Sequence, residues 1–231
     1  MWDDIAAALR IPENIAGALA MLPVATAQTL YMTAISTVFA CLLGLPLGVW
    51  LYNTSPAGLR RRAIGYNIVT RIVNLFRSFP FIILMIVLMP LSRILIHTSI
   101  GPTAVIIPLS IAAAPFVARI VESALAEVDS GVILAARAMG STDFQIIYKV
   151  LLPEALPALV SGLALTVINL IGYSAMAGAI GGEGLGDLAI RYGYYRFRTD
   201  VTVCAVIVIL LLVEIVQAAG SFASRRLLEK R

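Results

Sequence analysis

Long apolar segments dominate the chain and are separated by short polar ones. The segments long enough to cross a membrane are residues 24–52, 66–96, 103–125, 154–179 and 201–222. A bilayer core about 30 Å thick needs about 20 apolar residues per helical crossing. The segments lack the two-residue alternation of strands, so the pattern favours helices over a barrel. We therefore predict an all-α integral membrane protein with five transmembrane helices.

The chain ahead of the first apolar segment is interrupted by two prolines. Residues 5–23 contain Pro12 and Pro23, so this stretch is too short and too broken to span, and we expect it to lie at the outer interface. The predicted organisation is an external segment at 1–23, a five-helix bundle at 24–222 and a basic cytoplasmic tail at 223–231. The whole chain forms one transmembrane domain in this interpretation.

Composition and charge agree with a membrane protein. Of the residues, 60% are hydrophobic and 13% are charged, and the mean hydropathy is +0.95. The net charge of +4 comes from basic clusters at Arg60, Arg61, Arg62 and Arg71, at Arg119, Arg137 and Lys149, and at Arg225, Arg226, Lys230 and Arg231. The positive-inside rule makes these regions cytoplasmic. The exceptions, which then lie outside, are Arg191, Arg196 and Arg198. Five crossings place the N-terminus outside and the C-terminus inside.

The sequence contains no pattern typical of a catalytic site. A phosphate-binding loop requires G-x-x-x-x-G-K-[ST], and neither Lys149 nor Lys230 follows a glycine. His97 is the only histidine, and Cys41 and Cys204 lie far apart, so no usual metal-ligand spacing is present. The chain is therefore predicted to be a non-enzymatic membrane subunit that binds no cofactor, metal or nucleic acid.

A polar segment, residues 135–153, separates the third and fourth predicted spans. Its alanine-rich start favours a short helix that ends at Gly140, since glycine adopts the left-handed conformation easily. Thr142 is suited to cap a second short helix, with Gln145 in the reciprocal capping-box position. Pro153 suits the first turn of the next membrane helix. The segment thus predicts a helical elbow. Its apolar contacts are assigned to Phe144, Ile146, Ile147 and Val150.

The elbow resembles the cytoplasmic loop of ABC-importer permeases, whose motif runs E-A-A, three residues, G, nine residues, I-x-L-P. The residues that fall on this motif in register are Ala135, Ala136, Gly140, Val150, Leu152 and Pro153. Leu134 replaces the glutamate of the family, and Val150 replaces its isoleucine. The resemblance implies that the elbow, including the cap residue Thr142, is a cytoplasmic coupling helix that docks in a cleft of a separate ATP-hydrolysing subunit.

Longer stretches resemble the permease subunits of methionine importers, from about Thr26 to the end of the chain. These stretches are INLIGYSAMAGAIGGEGLG, FRSFPFIILM, KVLLPEALP and AAPFVARIVESAL. The resemblance implies a homodimer in membrane lipid that conducts L- and D-methionine. It also implies two ATPase subunits that hold ATP and Mg, and a periplasmic or lipid-anchored methionine-binding protein. Another amino acid or a short peptide is the alternative substrate. A self-sufficient secondary transporter would need ion-binding carboxylates in the membrane, and Glu214 is the one acidic residue well inside a predicted span.

The candidate residues of the translocation pathway are Arg77, Pro80, Tyr173, Ser174 and Met176. Arg77 lies in an apolar segment, where it extends to the inner headgroups, lines the pathway or pairs with Glu214. Pro80 is expected to kink the same helix. The three residues near the end of the fourth span offer an aromatic ring, a hydroxyl and a thioether. These groups suit a flexible, sulfur-containing zwitterion, but they also suit an ordinary helix core.

Overall fold

The computed structural model describes residues 13–229, and all regular structure in this range is helical. In chain order the helices are α1 (Glu13–Thr54), α2 (Ala63–Ser78), α3 (Phe81–Ile96), α4 (Pro102–Ala126), α5 (Ser130–Ala138), α6 (Asp143–Ile146), α7 (Leu152–Gly178), α8 (Gly184–Asp187) and α9 (Thr199–Leu228). Two π-helical segments, Ile147–Leu151 and Leu188–Tyr194, follow α6 and α8. The predicted all-α class is confirmed for the described part of the chain.

Several helices are long and apolar enough to cross a membrane. Within the described residues these are α1, α4, α9 and the continuous run Asp143–Gly178, which contains α7. The bent pair of α2 and α3 passes the same test only when the two helices are taken together. The described chain therefore holds four candidate spans, or five if the bent pair is one span.

The interruption between α2 and α3 is larger than the predicted kink. α2 ends at Ser78, Phe79 is extended with φ −73° and ψ 130°, and Pro80 precedes the first residue of α3. Proline has no N–H and disfavours a helical conformation in the residue before it. Phe79 and Pro80 together therefore interrupt the helical hydrogen bonds, and the predicted span at 66–96 consists of two helices.

The expected interruption at Pro23 is wrong, whereas Pro12 lies outside the described residues. α1 continues through Pro23 without a break, although the proline removes one backbone hydrogen bond. The helical turns around Pro23 bury small apolar side chains in a cluster with α8 and α9. This cluster contains Ala18, Leu22, Ala25, Leu185, Leu188, Val201 and Ala205. Burial of the apolar face offsets the lost hydrogen bond and keeps the helix intact.

The chain divides into two compact units. One unit contains the described residues up to 37 together with 80–110 and 167–215, and its core includes the cluster around Pro23. The other contains residues 38–79 and 111–166 and the chain from 216 onward, and its core includes Leu51, Val73 and Ala118. The whole elbow belongs to this second unit.

Two glycines allow close packing of α1 on α4 in the second unit. A Cβ atom at Gly44 would lie 2.6 Å from the Cβ of Val117, and one at Gly48 would lie 2.5 Å from the carbonyl oxygen of Ala118. Real Cβ atoms do not approach other atoms this closely. The two helices can therefore meet at this distance only through glycine, as small residues commonly allow in membrane bundles.

The substitution Gly48→Ala is expected to destabilise the folded protein by about 1–3 kcal/mol, the usual cost of overpacking a filled interior. Gly172→Ala in α7 is the matched control, because no neighbouring atom lies within 4 Å of its Cβ position. Alanine is favoured over glycine in a helix by about 1 kcal/mol, so the control should be neutral or stabilising. Thermal unfolding in detergent measures both. A lower midpoint for Gly172→Ala than for Gly48→Ala would contradict this account of the contact.

Candidate functional site

The first half of the elbow ends in a cap that depends on glycine. Gly140 follows α5 and has a left-handed φ of 81°. Its N–H donates to the carbonyl of Arg137 at 2.9 Å, and the N–H of Ser141 donates to the carbonyl of Ala136 at 3.1 Å. These two hydrogen bonds form a Schellman motif. The predicted helix end at Gly140 is confirmed.

The second half of the elbow begins with the predicted capping box. The N–H of Gln145 donates to Oγ1 of Thr142 at 3.4 Å, and the N–H of Thr142 donates to Oε1 of Gln145 at 2.8 Å. Two backbone donors at the helix start are thereby satisfied by side chains. The elbow consequently has a defined cap on each side of its turn, and its shape is set locally.

The second helix of the elbow is not a separate short helix, and this corrects the prediction. α6 continues through the π-helical segment Ile147–Leu151 into α7, and the N–H of Leu152 donates to the carbonyl of Ile147. Pro153 accounts for the wider turn, because it has no N–H to give to the carbonyl four residues earlier. Pro153 lies in the first turn of α7, as predicted, but the helical run that contains it begins at Asp143.

The elbow has a buried face and an exposed apolar face. Its buried side chains include Ala136, Ile146 and Leu151. The large apolar side chains that the elbow exposes, which we call the apolar knob, are Leu134, Met139, Phe144 and Tyr148, with exposed fractions of 64%, 80%, 75% and 65%. The rings of Phe144 and Tyr148 stack with 6.4 Å between their centroids. An exposed cluster of large apolar side chains indicates a surface that is covered by a partner or by lipid.

The residues predicted to make the apolar contacts of the elbow differ in how deeply they are buried. Ile146 is buried as expected, and Ile147 and Val150 are partly buried. Phe144 stacks on Tyr148, but most of its surface is exposed. Phe144 and Ile146 are two residues apart on a helix, so they point to opposite sides.

The residues of the permease motif are distributed over both faces of the elbow. Ala135, Gly140, Thr142 and Pro153 are exposed, Val150 and Leu152 are partly buried, and Ala136 is buried. Leu134, which stands where the family has glutamate, is part of the apolar knob. The motif therefore contains both residues that shape the elbow and residues that a partner can reach.

Ion pairs hold the elbow to the loop of residues 55–62, which joins α1 to α2. Nε of Arg60 donates to one carboxylate oxygen of Asp143 at 2.6 Å, and Arg137 lies 3.8 Å from the other oxygen. Arg137 also donates to the carbonyl of Leu59 at 3.2 Å. Such exposed pairs contribute only about 0–1 kcal/mol each, so they fix geometry rather than stability. Asp143 is absent from the predicted site residues, because nothing local indicates a partner in another loop.

A group of polar side chains around the buried Glu122 connects α2 and α4 in the same unit. Glu122 is only 8% exposed. Its carboxylate accepts hydrogen bonds from the Tyr66 hydroxyl at 2.9 Å and from Nη1 of Arg119 at 2.6 Å. Nη2 of Arg119 donates to Oδ1 of Asn74 at 2.9 Å. We call these four residues the polar network. Glu122 is also absent from the predicted site residues, although its spacing of three from Arg119 is typical of a helical ion pair.

Arg77 lies in the wall of a cavity of about 620 Å³, in the last turn of α2. We call this space the polar cavity. Its polar lining residues are Asn74, Arg77, Arg119, Ser123, Glu127 and Ser161. Its apolar lining includes Phe116, Ile120 and Leu165. All of these residues belong to the second unit. Glu214, the other intramembrane charge singled out by the sequence, is exposed on α9.

The three candidate pathway residues on α7 have different environments. The ring of Tyr173 stacks on Phe81 with 4.2 Å between centroids, directly after the break at Pro80. Ser174 is buried, and its hydroxyl donates to a carbonyl of its own helix at 2.8 Å. Met176 is half exposed. Tyr173 and Met176 are accessible in part, whereas Ser174 is packed into the unit with its hydrogen bond satisfied.

The glycine-rich turn after α7 is bound to α1. The side-chain amide of Gln28 donates to the carboxylate of Glu183 and accepts from the N–H of Gly184 at 3.1 Å. Glu183 has φ 59° and ψ −162°, a conformation that is rare outside glycine and costs about 1–3 kcal/mol. In the segment that follows, a hydrogen bond to Asp187 raises the pKa of Arg191. The turn is thus a fixed element of the first unit.

The described residues contain no group of three or more His, Cys, Asp or Glu side chains that could hold a metal ion. Cys41 and Cys204 are both free thiols.

These features define an all-helical membrane protein with a capped, apolar elbow between two of its long helices. Residues 44–231 match the family model described as "Binding-protein-dependent transport system inner membrane component". The chain belongs to this family, the membrane-spanning components of ABC importers, and is a multi-pass inner-membrane protein.

Particular members of the family are similar to this chain over most of their length. The "Probable D-methionine transport system permease protein MetI" of Vibrio cholerae serotype O1 is 48% identical over 206 residues, which are 89% of this chain and 92% of the relative. The "D-methionine transport system permease protein MetI" of Escherichia coli K12 is 53% identical over 151 residues, or 65% of this chain and 70% of the relative. A solved structure, "Inward facing conformations of the MetNI methionine ABC transporter: CY5 native crystal form", is 46% identical with a TM-score of 0.88, and the match covers 90% of this chain and 97% of that chain. The resemblance to methionine-importer permeases is confirmed.

Proposed function

We propose that this chain is the permease subunit of an ATP-driven importer and forms the pathway for L- and D-methionine across the inner membrane. The observation that carries the proposal is the 48% identity to a probable D-methionine transport permease over 92% of that protein. The likeness to the MetNI methionine ABC transporter, at a TM-score of 0.88, supports the same substrate. Another amino acid or a short peptide is the alternative.

The proposed assembly contains two copies of this chain and two ATPase subunits. The likeness to a solved methionine ABC transporter supports such an assembly, and the family description supports delivery of substrate by a binding protein, periplasmic or lipid-anchored. This chain is proposed to be non-catalytic, with ATP and Mg held by the ATPase. It is proposed to have five spans, with α2 and α3 as one broken span, and the basic clusters support an orientation with the N-terminus outside and the C-terminus inside.

The elbow is proposed to be the cytoplasmic coupling helix between the third and fourth spans. Its apolar knob needs a covering partner, and a cleft of the ATPase subunit is the proposed one. The two caps make the elbow stiff, and the pair of Arg60 with Asp143 and the hydrogen bond from Arg137 to Leu59 join it to the loop before α2. A force on the knob would therefore move α5, α6 and that loop together.

Transport is proposed to follow from two states of the bundle. ATP binding draws the ATPase subunits together, the elbows follow, and the pathway changes from inward-facing to outward-facing. ATP can drive this change only through a differential affinity of the ATPase pair for the two states. The stiffness of the elbow matters because a flexible connection would dissipate that difference.

Arg77, Pro80, Tyr173 and Met176 are proposed to border the pathway. The stacked rings of Tyr173 and Phe81 offer an aromatic surface beside the break in the helix pair. A contact between sulfur and an aromatic ring contributes about 0.3–1.5 kcal/mol, so such a surface guides methionine without trapping it. Ser174 is not proposed as a pathway residue, because it is buried and its hydroxyl already donates a hydrogen bond within its own helix. Most of the selectivity must then come from the external binding protein.

The proposal is tested by uptake into proteoliposomes that contain this chain, its ATPase subunits and its binding protein. Methionine, leucine and glutamine are compared at equal concentration, with and without ATP. We expect ATP-dependent uptake with a preference for methionine. A preference for glutamine would contradict the substrate, and uptake that does not require ATP would contradict the transporter class.

The five-span topology predicts that the two ends of the bent helix pair lie on opposite sides of the membrane. Single cysteines at Arg61→Cys and Ile100→Cys flank the pair, and both positions are exposed. In a background with Cys41→Ala and Cys204→Ala, a membrane-impermeant maleimide should label them from opposite sides of sealed vesicles. Labelling from the same side would mean that α2 and α3 form a re-entrant loop, and it would contradict the five-span count.

A further inference from the structure

The charges in the wall of the polar cavity are only partly paired. Arg119 is engaged by Glu122 at 2.6 Å and by Asn74 at 2.9 Å. The other carboxylate oxygen of Glu122 accepts from the Tyr66 hydroxyl at 2.9 Å. The charge of Arg119 is thus balanced by Glu122, and of its guanidinium nitrogens only the buried Nε has no hydrogen-bond partner in the described part of the chain.

Arg77 and Glu127 are the charges of this wall that remain free. Neither side chain has a hydrogen-bond or ion-pair partner among the side chains that the structure describes, those of residues 17–229. Both residues are exposed. Between them the wall offers the hydroxyls of Ser123 and Ser161 and an apolar surface that includes Phe116. One free cation, one free anion and an apolar surface therefore line the same cavity.

We propose that the polar cavity binds a zwitterionic α-amino acid, with Arg77 on its carboxylate, Glu127 on its ammonium group and the apolar wall against its side chain. The inference rests on the proposed function and names a binding site for its substrate. A guanidinium group binds a carboxylate through two parallel hydrogen bonds. The cavity volume of about 620 Å³ lies within the range of small-molecule sites, roughly 300–1,000 Å³. An open site of this kind binds weakly enough to release what it admits.

The test removes one charge of the ligand or one charge of the site at a time. The full chain is assembled with its ATPase subunits in nanodiscs, without nucleotide or binding protein. A reporter cysteine, Ser161→Cys in the Cys41→Ala and Cys204→Ala background, is protected from maleimide when the cavity is occupied. Methionine is compared with methioninol, which lacks the carboxylate, and with N-acetylmethionine, which lacks the ammonium group.

Methionine is expected to protect the reporter at a concentration about tenfold lower than either derivative, since a hydrogen bond to a charged group contributes that much or more. Arg77→Gln should raise the methionine concentration for half-protection about tenfold and remove the preference over methioninol only. Glu127→Gln should remove the preference over N-acetylmethionine only. Arg77→Lys should restore part of the affinity. Arg71→Gln, an exposed arginine of α2 outside the cavity, is the matched control and should leave all values unchanged.

Equal protection by all three ligands would overturn the proposal, as would equal effects of both charge variants on every ligand. Short-chain phosphatidylethanolamine is included because it carries the same pair of charges. Protection by this lipid at the same concentration as methionine would assign the cavity to a lipid headgroup instead.

ATP-driven uptake of methionine is measured with the same protein preparations. Normal ATP-driven methionine uptake without protection would reject this site and leave the permease function intact, whereas absence of methionine uptake would reject the proposed function itself.

Discussion

Replacement of Gly140 by proline is expected to abolish ATP-driven methionine uptake while the chain still inserts into the membrane. Gly140 has a φ of 81°, whereas proline is restricted to about −65°. Proline also lacks the N–H that donates to Arg137, so the Schellman motif cannot form. The turn between α5 and α6 would then open, and the apolar knob would lose its shape. Uptake into proteoliposomes, normalised to the amount of inserted protein, measures the effect.

Gly140→Asn is the matched control for this prediction. Asparagine tolerates the left-handed conformation better than other side chains and keeps the backbone N–H. No neighbouring atom lies within 4 Å of a Cβ at this position, so the new side chain causes no clash. We expect uptake close to that of the natural chain. Equal uptake by the proline and asparagine variants would contradict a coupling role that depends on the shape of the elbow.

The shape of the elbow was predictable from sequence because its determinants are local. The left-handed residue Gly140, the cap Thr142 and its partner Gln145 lie within six positions of each other, and each acts through backbone groups nearby. The apolar pattern likewise located most of the long helices. The predicted span at 103–125 corresponds to Pro102–Ala126, and the one at 154–179 corresponds to Leu152–Gly178.

The behaviour of the prolines was not predictable in the same way. Pro80 interrupts the helical run, whereas Pro23 lies within a continuous helix. The two residues carry the same local signal, namely a missing N–H and a restricted neighbour. The difference lies in packing, since the turns around Pro23 are buried against residues more than 150 positions away. A contact between residues so far apart in the chain cannot be recognised from the local sequence pattern.

The polar contacts that organise the second unit were missed for the same reason. Arg60 and Asp143 are separated by 83 positions, and Tyr66 and Glu122 by 56. The neighbouring sequence of each side chain gives no indication of its partner, and only the fold brings the partners together. The exposed apolar knob was also hidden, because the side of the elbow that Phe144 faces depends on where the rest of the unit packs.

The largest loss of stability is expected from removing one partner of the buried pair in the polar network. Glu122→Leu leaves the guanidinium of Arg119 without its counter-ion, and the two side chains are only 11% and 21% exposed. Breaking a buried pair costs about 3–5 kcal/mol, and that is the upper limit here because Arg119 lines the polar cavity and stays in part hydrated. The loss also frees the Tyr66 hydroxyl from its acceptor. Thermal unfolding of the purified protein in detergent measures the change.

The double variant Arg119→Met with Glu122→Leu separates the cost of an orphaned charge from the value of the pair. Removing both charges together should recover most of the lost stability, so the double-mutant cycle should be strongly non-additive. Arg60→Gln provides a surface comparison, because Arg60 is 64% exposed in its pair with Asp143 and such pairs contribute at most about 1 kcal/mol. Two results would contradict a network that joins α2 to α4 through Glu122. One is a thermal unfolding midpoint of Glu122→Leu that is no lower than that of Arg60→Gln. The other is a double variant whose loss of stability equals the sum of the losses of its two single variants.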